Sequence, residues 1–65
     1  MNELMIILQD NTYMYYQTSA TTAENALYNF HITCAANGIN TDNIVITACR
    51  LRNSAHEDLD SYIVN

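Results

Sequence analysis

The chain has no lysine, and its only cations are Arg50 and Arg52. Proteins that grip DNA or RNA neutralise phosphates with clustered Lys and Arg. With a net charge of −5, direct nucleic-acid binding is not expected here. Anionic membrane surfaces are disfavoured on the same ground. The only glycine is Gly38. A glycine-rich phosphate loop and a nucleophile elbow are therefore both absent, and there is no HExxH motif. No apolar run approaches the ~20 residues of a membrane-spanning helix. The N-terminal residues lack the cationic opening and long apolar stretch of a signal peptide, so a cytoplasmic location is expected. The two cysteines, Cys34 and Cys49, form no CxxC pair. A secreted mini-protein carries more of them. Both read as buried free thiols, and no cofactor or metal is expected.

What is present is a bracketed helix between two strand-like stretches. At 65 residues, 49% of them hydrophobic, the chain reads as one domain, 1–65, with 54–65 as a tail. A chain this short hides only about 60% of its unfolded surface. Such a core supplies about 3–5 kcal/mol, so small scaffolds usually need a further staple. Without metals or disulfides, self-association is the staple that remains.

Residues Asn2 to Ala20 read as a β-hairpin. Leu4-Met5-Ile6-Ile7-Leu8 is apolar without a break, as suits a central strand. Asp10-Asn11 tolerates the positive φ of a tight turn. With a two-residue turn, Leu8 faces Tyr13 and Ile6 faces Tyr15, while Ile7 meets Met14 and Met5 meets Tyr16 on the other side. Next, Thr21 and Glu24 form a T-x-x-E capping box. Ala23, Ala26, Leu27, Phe30, Cys34 and Ala35 make one helical stripe, with Asn25, Asn29, Thr33 and Asn37 outside. Gly38 supplies the left-handed stop, with Ile39 folding back. A third strand starts at Ile44 and runs to about Leu51 or Arg52. Strict alternation puts Ile44, Ile46 and Ala48 on one face and Val45, Thr47, Cys49 and Leu51 on the other. The tail admits two readings. Ser54-Ala55-His56-Glu57 can cap a short helix, and Ser61-Tyr62-Ile63-Val64 can add an edge strand. A short helical turn leading into an extended end is the favoured one.

The expected fold is α+β: a small ββαβ domain with a three-stranded antiparallel sheet of order 2-1-3. Its helix packs on one face. In the order of its elements and its T-x-A-E-x-A helix opening, the segment Asn2 to Arg52 resembles the small ββαβ domains of many short bacterial and phage proteins. That resemblance names no family and implies no activity.

Four groups of residues carry chemical potential. His56, Glu57, Asp58 and Asp60 are metal-ligand types. Neighbours on one segment diverge, however, and a solvated acidic tail is the better reading. His31 and Cys34, three apart on the helix, resemble an activated-thiolate pair. With no third residue to orient the histidine, they read as a boundary histidine beside a buried cysteine. Tyr13, Tyr15 and Tyr16 suggest a stacking platform. Without interleaved cations they fit a protein interface better. Arg50 and Arg52 share one face of the third strand. They suit an anion or a partner carboxylate, but such alternation more often marks a solvent-exposed strand end and guards an edge.

The sequence therefore reads as a small, acidic, non-enzymatic protein-interaction module, a homodimer that also binds another protein. By size and acidity it would suit an accessory factor of a bacterium or phage. One rival is an acidic decoy for a nucleic-acid-binding groove. Another is a small enzyme completed across a dimer. One helix covers one side of the sheet, so the expected interaction surface is the other: Leu4, Ile6, Leu8, Tyr13, Tyr15, Val45 and Leu51. Met5, Ile7, Met14, Tyr16, Ile44, Ile46 and Ala48 are expected under the helix residues Leu27, Phe30 and Cys34.

Overall fold

A computed structural model describes residues 1–64. The elements run β1 (Asn2–Leu8), β2 (Tyr13–Thr18), α1 (Ala23–Ala36), β3 (Ile46–Arg52) and β4 (Asp58–Ile63). The sheet is antiparallel throughout, in the order β2-β1-β3-β4. The helix lies on one face. The α+β class and the β2-β1-β3 core of the order are as expected, but the sheet has four strands, not three.

The fourth strand comes from the tail. Asn53 Oδ1 accepts hydrogen bonds from the amides of Ala55 (2.9 Å) and Glu57 (3.0 Å). The Asn53 amide reaches the Glu57 carbonyl, and His56 N donates to Asn53 O, both at 3.0 Å. His56 takes φ 61°. This is a three-residue hairpin loop closed by a left-handed residue. Ser54, expected to cap a short helix, lies within this loop, and the Asn53 side chain folds the turn that launches β4.

The first hairpin has the same design. Leu8 N donates to Thr12 O (2.9 Å) and Asn11 N to Leu8 O (3.0 Å), with Asn11 at φ 67°. Asp10 Oδ1 accepts from both the amide (3.1 Å) and the hydroxyl (2.6 Å) of Thr12. The loop is Gln9-Asp10-Asn11, one residue longer than the two-residue turn expected. Ile7 therefore pairs with Tyr13, Ile6 with Met14, Met5 with Tyr15 and Leu4 with Tyr16. A one-residue slip turns every side chain of a strand over. Leu4 and Ile6 consequently lie under the helix, and Met5 and Ile7 lie on the open face.

β3 departs from strict alternation for a second reason. The register with β1 shifts between Ile7 and Leu8, which pairs Ile7 with Ala48 but Leu8 with Ile46. Thr47 is the extra residue, and its hydroxyl donates to the Ile7 carbonyl (3.2 Å). This bulge lets Ile46, Cys49 and Leu51 share the helix-facing side and sends Ala48 to the other. Leu4, Ile6 and Leu51 are 0% exposed. The core joins them to Ile46, Cys49, Ala23, Ala26, Leu27, Phe30 and Cys34, with Leu8, Met14, Tyr16, Ile44 and Tyr62 packed at its margin. Leu27, Phe30, Cys34 and Ile46 are core as expected. Met5, Ile7 and Ala48 are not.

The helix is capped one residue later than predicted. Thr22, not Thr21, is the N-cap, and its side chain accepts from Asn25 N at 3.3 Å. Glu24 stays in the first turn, where a negative charge suits the helix dipole. At the other end Ile39 N donates to Cys34 O (2.8 Å) and Gly38 N to Ala35 O (3.1 Å). With Gly38 at φ 73°, this is a Schellman closure. Ala35 is exposed rather than part of the buried stripe.

Candidate interaction surface

The register places twelve side chains in three rows across the helix-free face. The row nearest the β1–β2 turn is Tyr13, Ile7, Ala48 and Ile63, reading across the four strands. The next is Tyr15, Met5, Arg50 and Ser61. The last is Gln17, Glu3, Arg52 and Asp58. The face is thus graded from apolar through mixed to charged along the strands. Tyr13 is 56% exposed, Tyr15 60% and Ile63 70%, while Ile7, Met5 and Ala48 are half-buried between them. In the charged row Arg52 Nε donates to Asp58 Oδ1 and Gln17 Nε2 to Glu3 Oε2, each at 3.1 Å.

Four of the seven residues expected on this surface are not there. Leu4, Ile6 and Leu51 are buried and Leu8 packs against the core, for the reasons of register and bulge given above. Tyr13 and Tyr15 are where they were expected. Val45 is exposed but precedes β3, its carbonyl accepting from Gln9 N at 2.9 Å. Met5, Ile7, Ala48 and Ile63 take the missing places. The D-x-T pattern of Asp10 and Thr12 was the available signal, because an Asx turn fixes loop length and hence register.

The two edges of the sheet differ. β4 carries Asp58 and Asp60 and has a register shift at its start, all features that blunt an edge. β2 is Tyr-Met-Tyr-Tyr-Gln-Thr, without charge or bulge. A second apolar feature lies across the molecule, where Tyr28, Ile32 and Ile39 stand exposed along the outer side of α1 and its stop. Tyr16 is not part of a platform. It turns under the helix, its ring edge-on to Phe30 at 5.6 Å and its hydroxyl sharing a 2.9 Å hydrogen bond with Thr33.

The other candidate groups are drawn into separate structural tasks. Asp60 Oδ2 accepts from Ala23 N at 2.7 Å, a carboxylate from β4 set on the first amide of the helix. Asp58 holds Arg52, and Glu57 Oε1 accepts from Asn53 Nδ2 at 3.0 Å. His56 closes its turn. His31 Nδ1 contacts Thr41 Oγ1 at 3.1 Å, and its ring packs edge-on to Phe30. Cys34 and Cys49 are free and buried. The Cys49 thiol donates to Ala23 O at 3.8 Å. Burial, and secondarily the charge of Asp60, push its pKa above the ordinary value. Asp10 shifts the other way, its carboxylate favoured by the Thr12 hydroxyl and then by the Thr12 amide. Among the described residues no three His, Cys, Asp or Glu come together as a metal set. No helix among them is long and apolar enough to cross a membrane. Two open depressions, of about 260 and 330 Å³, lie beside the first turn and along β4.

Scans against protein-family models, curated proteins and solved structures return no match.

Proposed function

We propose that this chain is a non-enzymatic protein-interaction module whose working surface is the helix-free face of the sheet. The observation that carries the reading is the unbroken apolar band Tyr13–Ile7–Ala48–Ile63, widened by Tyr15 and Met5. It crosses all four strands and ends at a charged row. Contiguous exposed apolar surface on a small protein marks a contact site. Tyrosine suits one, since it offers a large rigid ring and a polar tip. An enzymatic reading has less support. The titratable groups with catalytic potential are spent on capping, turn closure and ion pairing, or are buried. The acidic-decoy reading needs carboxylates along one stripe. Here Asp10 sits at a hairpin tip, Glu24 on the helix, Asp42 in a loop, and Glu3 and Asp58 at the far end of the sheet.

A photo-crosslinking residue at position 15, compared with one at position 25 on the exposed side of α1, tests the proposal in an extract of cells that encode the chain. Protein adducts should form from position 15 and be lost in the Ile7→Asp background. Adducts from position 25 alone, or from neither, contradict it.

A further inference from the structure

We infer that the occupant of this face is a second copy of the chain, stacked face to face about a two-fold axis that runs parallel to the strands between β1 and β3. The inference rests on the interaction reading above and goes further, because the apolar and charged rows of the face are self-complementary about that one axis. The operation keeps each row at its own level and lays β1 over the partner's β3 and β2 over its β4. In the charged row, Glu3 then meets Arg52 of the partner subunit, and Arg52 meets the partner's Glu3. In the apolar row, Tyr13 meets the partner's Ile63, and Ile7 meets the partner's Ala48.

The other in-plane axis, perpendicular to the strands, fails on energetic grounds. Centred on the face, it lays the apolar row on the charged one and buries Glu3, Arg52 and Asp58 against Ile7, Ala48 and Ile63. Desolvating charges without partners is costly. The strand-parallel axis pairs Glu3 with Arg52 at the far end and leaves that end at the rim. It sets Arg50 against the partner's Met5, whereas the perpendicular axis sets Arg50 on the partner's Arg50. Stacked sheets cross at roughly 30°, which displaces the charged row sideways by a few ångströms. The long Glu and Arg side chains span that distance. Only Nε of Arg52 is held by Asp58, and a guanidinium has five N–H donors.

Area favours this occupant too. The molecule measures 31 × 25 × 16 Å, and its two-layer build makes the shortest dimension the thickness. The face then covers at most about 600 Å² per copy, or about 1,200 Å² for a stacked pair, which reaches the lower bound for specific, stable association. An interface of this kind, with the same patch on both subunits, is the commonest closed assembly.

Charge-reversed chains test the axis. Glu3→Arg alone places Arg against the partner's Arg52 twice in a dimer, and Arg52→Glu alone places Glu against the partner's Glu3 twice. Each homodimer should dissociate about tenfold or more readily than wild type, as expected for two exposed ion pairs turned repulsive. Mixed in equal amounts, the two variants should form mainly the heterodimer in native mass spectrometry, since both cross-contacts are then Arg to Glu. Any cost of the substitutions within a chain is the same in both kinds of dimer. Glu24→Arg mixed with Arg52→Glu has the same charge difference without the contact and should show less heterodimer. Should either sheet variant fail to fold, the exposed edge position Gln17 gives the same information. Gln17→Lys, set against the partner's Asp58, should tighten the dimer several-fold, and Gln17→Glu should loosen it. A statistical mixture, an equal preference in the control, or no effect at position 17 overturns the axis. A wild type that remains monomeric at high micromolar concentration overturns the second copy as occupant. Crosslinking from position 15 to a foreign protein would then still uphold the interaction reading.

Discussion

Ile6 and Ile7 are adjacent and chemically identical, yet the structure assigns them opposite fates. Ile6 is fully buried beside Leu4 under the helix, whereas Ile7 is half-exposed on the open face. Truncating each to valine removes one methylene. At Ile6 the loss combines transfer free energy with a cavity that a close-packed core cannot wholly refill, about 0.5–1.5 kcal/mol. At Ile7 solvent replaces the lost contact, and the cost should stay below about 0.5 kcal/mol. Valine is the better probe because Ile6→Ala would cost about 2–5 kcal/mol, comparable to the whole ~3–5 kcal/mol available to a domain of this size. Urea unfolding followed by far-UV circular dichroism gives both values. It should be run at protein concentrations where the midpoint no longer depends on concentration, so that burial of Ile7 between copies does not enter. The two-residue turn predicts the reverse order. An Ile7→Val cost equal to or above that of Ile6→Val would refute the three-residue loop and the assignment of faces built on it.

Other outcomes follow from single contacts. Asn11→Gly and His56→Gly should each raise stability by about 0.5–1 kcal/mol in the same urea assay, because both positions hold a non-glycine residue at positive φ. Asp60→Ala should cost about 1 kcal/mol by removing a carboxylate from the first helix amide. In a hydrogen-exchange experiment the loss of protection should centre on β4 and the first turn of α1. The pH profile should fall at both ends. The folded Cys49 thiol holds its proton more tightly than the ordinary 9.0, so in titrated thermal melts stability falls as pH rises past about 9 and Cys49→Ser flattens that limb. The depressed Asp10 acts in the opposite sense. Its contribution is present above its ordinary 3.8 and is lost as pH falls through the lower folded value.

Much of this architecture was legible because several local signals agreed. The apolar run of β1 demanded a central place, and the glycine stop at Gly38 marked the end of α1. The alternation of Tyr13 and Tyr15 with Met14 and Tyr16 assigned the faces of β2 correctly. In the sheet, the departures from expectation turned on three single residues. Asn11 lengthened a turn by one position and inverted β1. Thr47 inserted a bulge and moved Ala48 away from Ile46. Asn53 folded a hairpin where its neighbours suggested a helical cap, and so added β4. Periodicity cannot report these, because each is a local interruption of the period. Side-chain-to-backbone bonds such as Asp10 to Thr12 and Asn53 to Glu57 are their physical cause. The site suffered more than the fold, since a one-residue slip preserves the strands and exchanges their faces.

Closure of the face opposite the helix by association should shield the tyrosines that lie on it. Nitration of the five tyrosines, read residue by residue by mass spectrometry across a range of protein concentrations, tests it most directly. Tyr13 and Tyr15 lie on the proposed contact. Tyr28, 66% exposed on the far side of the helix, is a built-in control, and Tyr16, packed on Phe30, is shielded within one copy. Tyr13 and Tyr15 should lose reactivity together as concentration rises, with Tyr28 reactive and Tyr16 slow throughout. Reactivity of Tyr13 and Tyr15 that does not change up to high micromolar concentration, or protection that falls on Tyr28 instead, would contradict it.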